Sequence, residues 1–334
     1  MGLALRPLLL VCLIALPGLN AAQAGEWRAQ RIDTPARVEA IESVDGQARV
    51  KAGGLWYRVA FEQNRATLTF VEPPARPEIP AGALPDGRAA LGKRDIARAW
   101  LAEPTTRYSH GVLGDSIESA SLMIEARDGK VHTVRLKDDA VFEDLEPRLA
   151  DLDGDGHDEI VVVKSYLKRG AALAIVALRK GRYEIVAETP PLGGSNRWLN
   201  PAGIADFTGD GKISIALVRQ PHVVGELELW SWAGGRLSKT TTLAGTANHI
   251  IGSRALHMSA TADFDGDGIA DIVLPSLDRN RLRIVSFAPG AREIANIALP
   301  AKAVTNLATV ARNAGPPAVV VGLADGTLVL IGID

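Results

Sequence analysis

The sequence predicts an all-β protein, and within that class a β-propeller of about six four-stranded blades; five or seven blades also fit the length. Short runs of β-branched, aliphatic and aromatic residues, such as Val131–Leu136 and Leu173–Leu178, recur between Gly, Asp and Pro. We find no sustained apolar stripe with the helical spacing i, i+3, i+4, i+7. One Asp- and Gly-rich segment also recurs at intervals of about 55 residues, which favours a propeller over a sandwich.

The repeated segment begins at Asp151, Asp206 and Asp263, and its three copies align without gaps. They read DLDGDGHDEIVVV, DFTGDGKISIALV and DFDGDGIADIVLP. Each copy leads into an apolar strand, a polar turn and further strands. A repeat of this length with about four strands per unit is typical of a propeller blade.

The organisation of the chain follows from its N-terminus and its proline content. We predict a signal peptide at 1–24, an N-terminal β module at 25–72 that forms the first blade or a separate unit, a Pro-rich connector at 73–92, and propeller blades at 93–334. The signal peptide has Arg6 before the short apolar run Leu8–Leu16, and Ala22-Gln23-Ala24 fits a cleavage site. The apolar run is too short to span a membrane, so we expect a periplasmic or secreted protein without a membrane span after cleavage.

Charge and cysteine content exclude several classes of function. The 334 residues contain 37 Lys and Arg against 39 Asp and Glu, for a formal net charge of −2, and no basic stripe is present. We therefore expect no nucleic-acid partner. The single cysteine excludes a disulfide framework and a cysteine-ligated metal site.

The aspartate loops have the composition of calcium sites. Oxygen-bearing side chains fall at positions 1, 3, 5 and 9 of the first and third loops, where alternate residues of a tight turn can surround one hard cation. The predicted ligands are Asp151, Asp153, Asp155, Glu159 and the His157 carbonyl, and Asp263, Asp265, Asp267, Asp271 and the Ile269 carbonyl. An EF-hand would need Glu at position 12 and flanking helices, but that position lies in a β run in every copy. A metal-free Asp-Gly turn remains the alternative.

The middle loop departs from this pattern because Thr208 and Ser214 replace the carboxylates at positions 3 and 9. Asp206 and Asp210 are left as candidate ligands. We expect either a weaker calcium site or a turn without metal.

The loops and the strands that follow them resemble the FG-GAP/VCBS repeats of integrin α subunits and of many exported bacterial proteins. The resemblance covers Asp144–Phe287 and extends through weaker repeats over Asp95–Ile331. It implies a calcium-stabilised propeller used in adhesion, ligand binding or assembly. It identifies no ligand.

A second group of residues precedes the innermost strands of the predicted blades. Arg197 and Arg254 lie nine residues before their loops, Asn200 and His257 lie six before, and His110 occupies a related place in a weaker repeat. Such residues would meet at one mouth of the central channel, where they could bind an anion or a sugar. The alternative is that they hydrogen-bond strand ends and neighbouring blades.

Two functions therefore remain open. The first is a non-enzymatic binding, adhesion or scaffold protein with an unknown protein or carbohydrate ligand. The second is a propeller enzyme or periplasmic solute-binding protein that uses the channel mouth. The sequence contains no Gly-x-Ser-x-Gly, His-Glu-x-x-His or P-loop motif, so we assign no catalytic residue.

Overall fold

The computed structural model describes residues 26–62 and 65–333, and the predicted signal peptide lies outside these ranges. Within the described ranges all regular structure is β-strand, which confirms the all-β class. No helix in this part of the chain is long and apolar enough to cross a membrane.

The strands form six four-stranded antiparallel meanders, which we number blades 1 to 6 along the chain. Blade 1 consists of β2 (Val38–Val44), β3 (Gln47–Ala52), β4 (Leu55–Glu62) and β5 (Arg65–Val71). Blade 2 consists of β6 (Ala90–Leu91), β7 (Ile96–Thr105), β8 (Glu118–Ala126) and β9 (Val131–Arg135). Blade 3 consists of β11 (Arg148–Ala150), β12 (Glu159–Tyr166), β13 (Gly170–Arg179) and β14 (Arg182–Glu188). The short strand β10 (Ala140–Phe142) pairs with both β8 and β12 and joins blades 2 and 3 into one sheet.

The remaining blades follow the same order. Blade 4 consists of β15 (Leu199–Ala205), β16 (Ser214–Arg219), β17 (Glu226–Ala233) and β18 (Arg236–Ala244). Blade 5 consists of β19 (Ala260–Ala262), β20 (Asp271–Pro275), β21 (Arg281–Ser286) and β22 (Arg292–Ala298). Blade 6 consists of β23 (Ala303–Val310), β24 (Ala318–Leu323), β25 (Leu328–Ile333) and, from the start of the described chain, β1 (Trp27–Ile32).

The first described strand closes the ring of blades. Strand β1 pairs antiparallel with β25 from Trp27↔Ile333 to Ile32↔Leu328 and supplies the outer strand of blade 6. Ile32 is buried in the same apolar cluster as Val38 of blade 1 and Leu330 of blade 6. The described part of the N-terminal module predicted at 25–72 is thus divided between the last blade and the first.

The middle strands of the blades are rich in apolar residues and mostly buried because both of their faces pack against neighbouring blades. All six residues of β24 and all five of β20 are buried. Outer strands such as β18 instead alternate between buried or half-buried and exposed positions. This layering confirms the β-propeller-like arrangement of about six blades.

The two faces of the ring carry different loops. The connections between first and second strands, which include the three aspartate loops, lie on one face, which we call the loop face. Neighbouring aspartate loops touch there, since a Cβ at Gly209 would lie 2.5 Å from Ile269 Cδ1. The connections between second and third strands and between blades lie on the opposite face, which we call the crossover face.

Candidate metal loops and central cavity

The first and third aspartate loops each bring three carboxylates together. One oxygen from each of Asp151, Asp153 and Glu159 lies within 4.8 Å of the other two. Asp263, Asp265 and Asp271 form the same arrangement in the third loop. Each group could hold a metal ion, and both consist of residues that the sequence predicted as ligands.

The loop geometry follows from its first Asp and its two glycines. The Asp263 carboxylate accepts hydrogen bonds from the backbone N–H groups of Gly266 (2.6 Å) and Gly268 (2.9 Å). Both glycines have positive φ, at 83° and 85°, which a side chain would strain. The first loop repeats the pattern with Asp151. The carboxylates at position 5, Asp155 and Asp267, cap the backbone N–H groups of His157 and Ile269 and lie outside the three-residue groups.

The carboxylates at position 9 are buried, although they begin strands rather than close turns. Glu159 is 1% exposed and Asp271 is 0% exposed. Each accepts one backbone hydrogen bond, at 2.9 Å from the N–H of Leu152 and of Phe264 respectively. Asp271 Oδ1 has no well-aligned hydrogen-bond partner among the described residues, and the nearby Ser286 side chain offsets only part of the rise in the pKa of this carboxyl. Burial raises the pKa of Glu159 to about 7 and that of Asp271 to about 6, and the neighbouring carboxylates add to both shifts.

This environment fits a hard cation. A buried carboxylate oxygen without a donor is costly unless a positive charge faces it, and oxygen donors are the ligands that calcium prefers. One arginine already approaches each group: Arg94 Nε lies 3.4 Å from Asp151 Oδ2, and Arg292 Nη2 lies 2.5 Å from Asp265 Oδ2. Neither arginine supplies a hydrogen bond to Asp271 Oδ1.

The middle loop forms the same turn without the additional carboxylates. The Asp206 carboxylate accepts from the N–H groups of Gly209 and Gly211, both at 2.8 Å, as in the other loops. Asp210 accepts from the Thr208 hydroxyl and the Lys212 N–H instead of facing a second carboxylate. Within the described ranges no group of three potential ligands forms here.

Most residues of the predicted channel mouth are engaged with protein groups on the crossover face. Arg254 bridges Asp86 and Asp115, with both contacts at 2.8 Å. The amide Nδ2 of Asn200, which is fully buried, donates to the carbonyls of Asn248 and Leu256. Arg197 Nη1 donates to the Leu192 carbonyl of its own loop.

His110 belongs to a buried acidic group next to this mouth. Its Nδ1 lies 2.5 Å from Glu143 Oε1, and the Glu143 side chain is 0% exposed. Glu118, 1% exposed, lies in the field of Glu143 and Asp115 and has no hydrogen bond to its carboxyl from the described residues. Burial and these neighbouring carboxylates raise the pKa of Glu118 to about 10. The sequence did not single out Glu118 or Glu143, because their partners come from distant segments.

His257 alone among the predicted mouth residues lines a central cavity of about 400 Å³. Its Nε2 pairs with Glu146, and its backbone N–H donates to Asn306 Oδ1 at 2.9 Å. Burial by itself would raise the pKa of Glu146. The positive charges of His257, Arg148 and Arg88 outweigh this effect and lower the pKa to about 2. The other lining residues come from the innermost strands of blades 1, 5 and 6 and from the segments before blades 2, 3 and 5.

The fold defines a β-propeller-like protein, and one stretch of the chain is similar to FG-GAP-like repeats. The model of the FG-GAP-like repeat family matches residues 206–274, which include the middle and third loops, and this confirms the resemblance over that stretch. No curated protein sequence matches the chain.

Several solved structures are similar to the chain at low identity. Rhamnogalacturonan lyase YesW is 14% identical with a TM-score of 0.44, over 88% of this chain and 65% of that one. The Photorhabdus luminescens Tc holotoxin pore is 16% identical with a TM-score of 0.42, over 93% and 14%. The exotype rhamnogalacturonan lyase YesX is 15% identical with a TM-score of 0.38, over 82% and 63%. The chain therefore spans less than two thirds of each of these structures.

Proposed function

We propose that this protein is an exported, calcium-stabilised β-propeller that acts as a binding, adhesion or scaffold protein outside the cytoplasm. The single observation that carries the calcium assignment is the buried Asp271 carboxylate, whose Oδ1 lacks a well-aligned donor beside two further carboxylates. Asp151, Asp153 and Glu159 would hold one ion, and Asp263, Asp265 and Asp271 a second. Calcium would supply the positive charge that ties each loop to the strand after it.

The first test is thermal unfolding of residues 25–334 in excess EDTA, in millimolar calcium and in millimolar magnesium. A ligand that binds only the folded state stabilises it by about 2.7 kcal/mol per site at 100 times its Kd. We expect calcium to raise the melting temperature by several degrees and magnesium to do so much less, because magnesium demands tighter octahedral geometry. Equal melting temperatures in calcium and EDTA would refute the assignment.

A pair of matched variants distinguishes the contribution of the first Asp to closing the turn from its contribution to metal binding. Asp263 and Asp206 close their turns through the same two glycine hydrogen bonds, but only Asp263 belongs to a three-carboxylate group. In EDTA we expect Asp263→Asn to lower the melting temperature no more than Asp206→Asn does, because it also removes one of three neighbouring negative charges. In calcium, Asp263→Asn should lose several degrees more. Equal losses in calcium would mean that the third loop is only a turn.

A second candidate function is the binding of a small solute at the centre of the ring, with or without catalysis. The observation that favours it is the placement of His257 and Asn306 on the central cavity. If this function is correct, Arg254→Ala should chiefly lower stability, because Arg254 bridges two acids outside the cavity lining. His257→Ala should reduce solute affinity while the thermal transition remains cooperative.

A further inference from the structure

The charged residues of the central cavity are already paired with one another. Glu146 pairs with His257, and the Glu42 carboxylate lies 3.5 Å from Arg88 Nη2 and 2.9 Å from Arg76 Nη2. The Glu42 and Glu146 side chains are only 14% and 17% exposed. A ligand that carried a net charge would have to break one of these pairs and leave the other member poorly solvated, which is costly.

The cavity lining also includes neutral residues that can form hydrogen bonds. Asn306 is 9% exposed, and its Oδ1 is used by the His257 N–H. Asn306 lines the cavity, and its amide Nδ2 has no acceptor among the described residues. The half-buried Thr309 also lines the cavity, and the described part of the chain gives its hydroxyl no hydrogen-bond partner.

From this arrangement we infer that the central cavity binds a neutral polyhydroxylated ligand about the size of one sugar unit. This inference rests on the solute-binding candidate proposed above and specifies its chemical class. Each ligand hydroxyl can donate to the Glu42 or Glu146 carboxylate and accept from Arg88, His257 or the Asn306 amide, so both ion pairs remain intact. The volume of about 400 Å³ lies within the roughly 300–1,000 Å³ of small-molecule sites.

The chemical class is tested by titration calorimetry of residues 25–334 in millimolar calcium. The probes are neutral glucose, galactose, mannitol and myo-inositol, the anion galacturonate and the cation glucosamine. We expect at least one neutral probe to bind and the charged analogue of the same size to bind at least tenfold more weakly. Tighter binding of galacturonate or glucosamine would overturn the neutral class and leave the solute-binding candidate standing. No heat with any probe up to 20 mM, on protein shown to be folded by its cooperative melt, would overturn both.

Two substitutions in the cavity lining test whether the ligand binds there. Thr309→Val removes one hydroxyl at constant shape, and Asn306→Asp keeps the oxygen that accepts from the His257 N–H while it removes the Nδ2 donor. We expect each to weaken binding of the neutral probe at least fivefold. Thr242→Val, on the exposed outer strand β18, is the matched control and should leave affinity unchanged. Unchanged affinity in both cavity variants would place the ligand elsewhere and refute the inference.

Discussion

Glu118 shows how one buried side chain sets the stability of its surroundings. Its carboxyl group is 1% exposed, and it lies among Glu143, Asp115, Asp86 and Asp144. Three of these acids have arginine partners, since Arg254 bridges Asp86 and Asp115 and Arg148 pairs with Asp144. Glu118 has no such partner in the described chain, so it remains protonated in the folded protein at neutral pH.

This protonation predicts the direction of a pH effect. The folded pKa of about 10 exceeds the ordinary value of 4.5, so the contribution of Glu118 to stability is fully present below pH 4.5 and is lost as pH rises towards 10. Glu118→Gln, which is neutral at every pH, should raise the free energy of unfolding at pH 8 by up to about 5 kcal/mol and change it little at pH 4.5. Urea unfolding at both pH values measures the difference. An equal effect at the two pH values would show that Glu118 is ionised in the folded protein.

At the scale of the structural element, the three aspartate loops share the same turn, but only two of them have a group of carboxylates that could hold a cation. All three close through hydrogen bonds from two glycine N–H groups to the first Asp. Only the first and third loops add carboxylates from position 3 and from the strand that follows. The spacing within nine residues made these ligands predictable, because both the donors and the turn belong to one short segment.

The buried Asp271 carboxylate of the third loop predicts that one substitution has opposite effects on the melting temperature in EDTA and in calcium. In EDTA, Asp271→Asn removes a desolvated negative charge beside Asp263 and Asp265, so we expect the melting temperature to rise by a few degrees. In millimolar calcium the same substitution removes a ligand, so the variant should melt below the wild type. Calorimetric melts of both proteins in both buffers test this crossover. A variant that is less stable in both buffers would indicate that Asp271 serves the fold through its hydrogen bond to Phe264 alone.

At the scale of the whole molecule, stability depends on closing the ring. Strand β1 joins the two ends of the described chain because it covers the edge of β25 and packs Ile32 between blades 6 and 1. An uncovered β25 would present unpaired backbone groups and an apolar edge, which favours association between chains.

Deletion of residues 26–32 tests this closure. We expect the shortened chain to lose several degrees of melting temperature and to form dimers or larger species in size-exclusion chromatography. A chain that begins at Glu26 is the control and should remain as stable as residues 25–334. A monomeric deletion variant with unchanged melting temperature would show that the ring holds together without β1.

The candidate sites differ in how far the sequence predicts them. The six carboxylates of the two three-residue groups were among the predicted ligands, because their spacing is local, whereas the predicted Asp155 and Asp267 lie outside the groups. The channel-mouth residues were predicted only as positions near one end of the ring. Their partners, such as Asp86 for Arg254 and Glu146 for His257, lie more than a hundred residues away in the chain. No spacing rule connects residues from different blades, so the pairing remained undetermined.

By itself, the sequence determined the all-β class, the approximate number of blades and the position of the aspartate loops. Each of these follows from the order of residues within one repeat, where strand alternation, glycine conformation and carboxylate spacing are local properties. Only the tertiary structure decided that β1 completes blade 6, that Arg254 is held by two acids and that Asn306 and His257 face one cavity. These features arise where separate blades meet, and packing around a closed ring brings together residues that the linear chain keeps far apart.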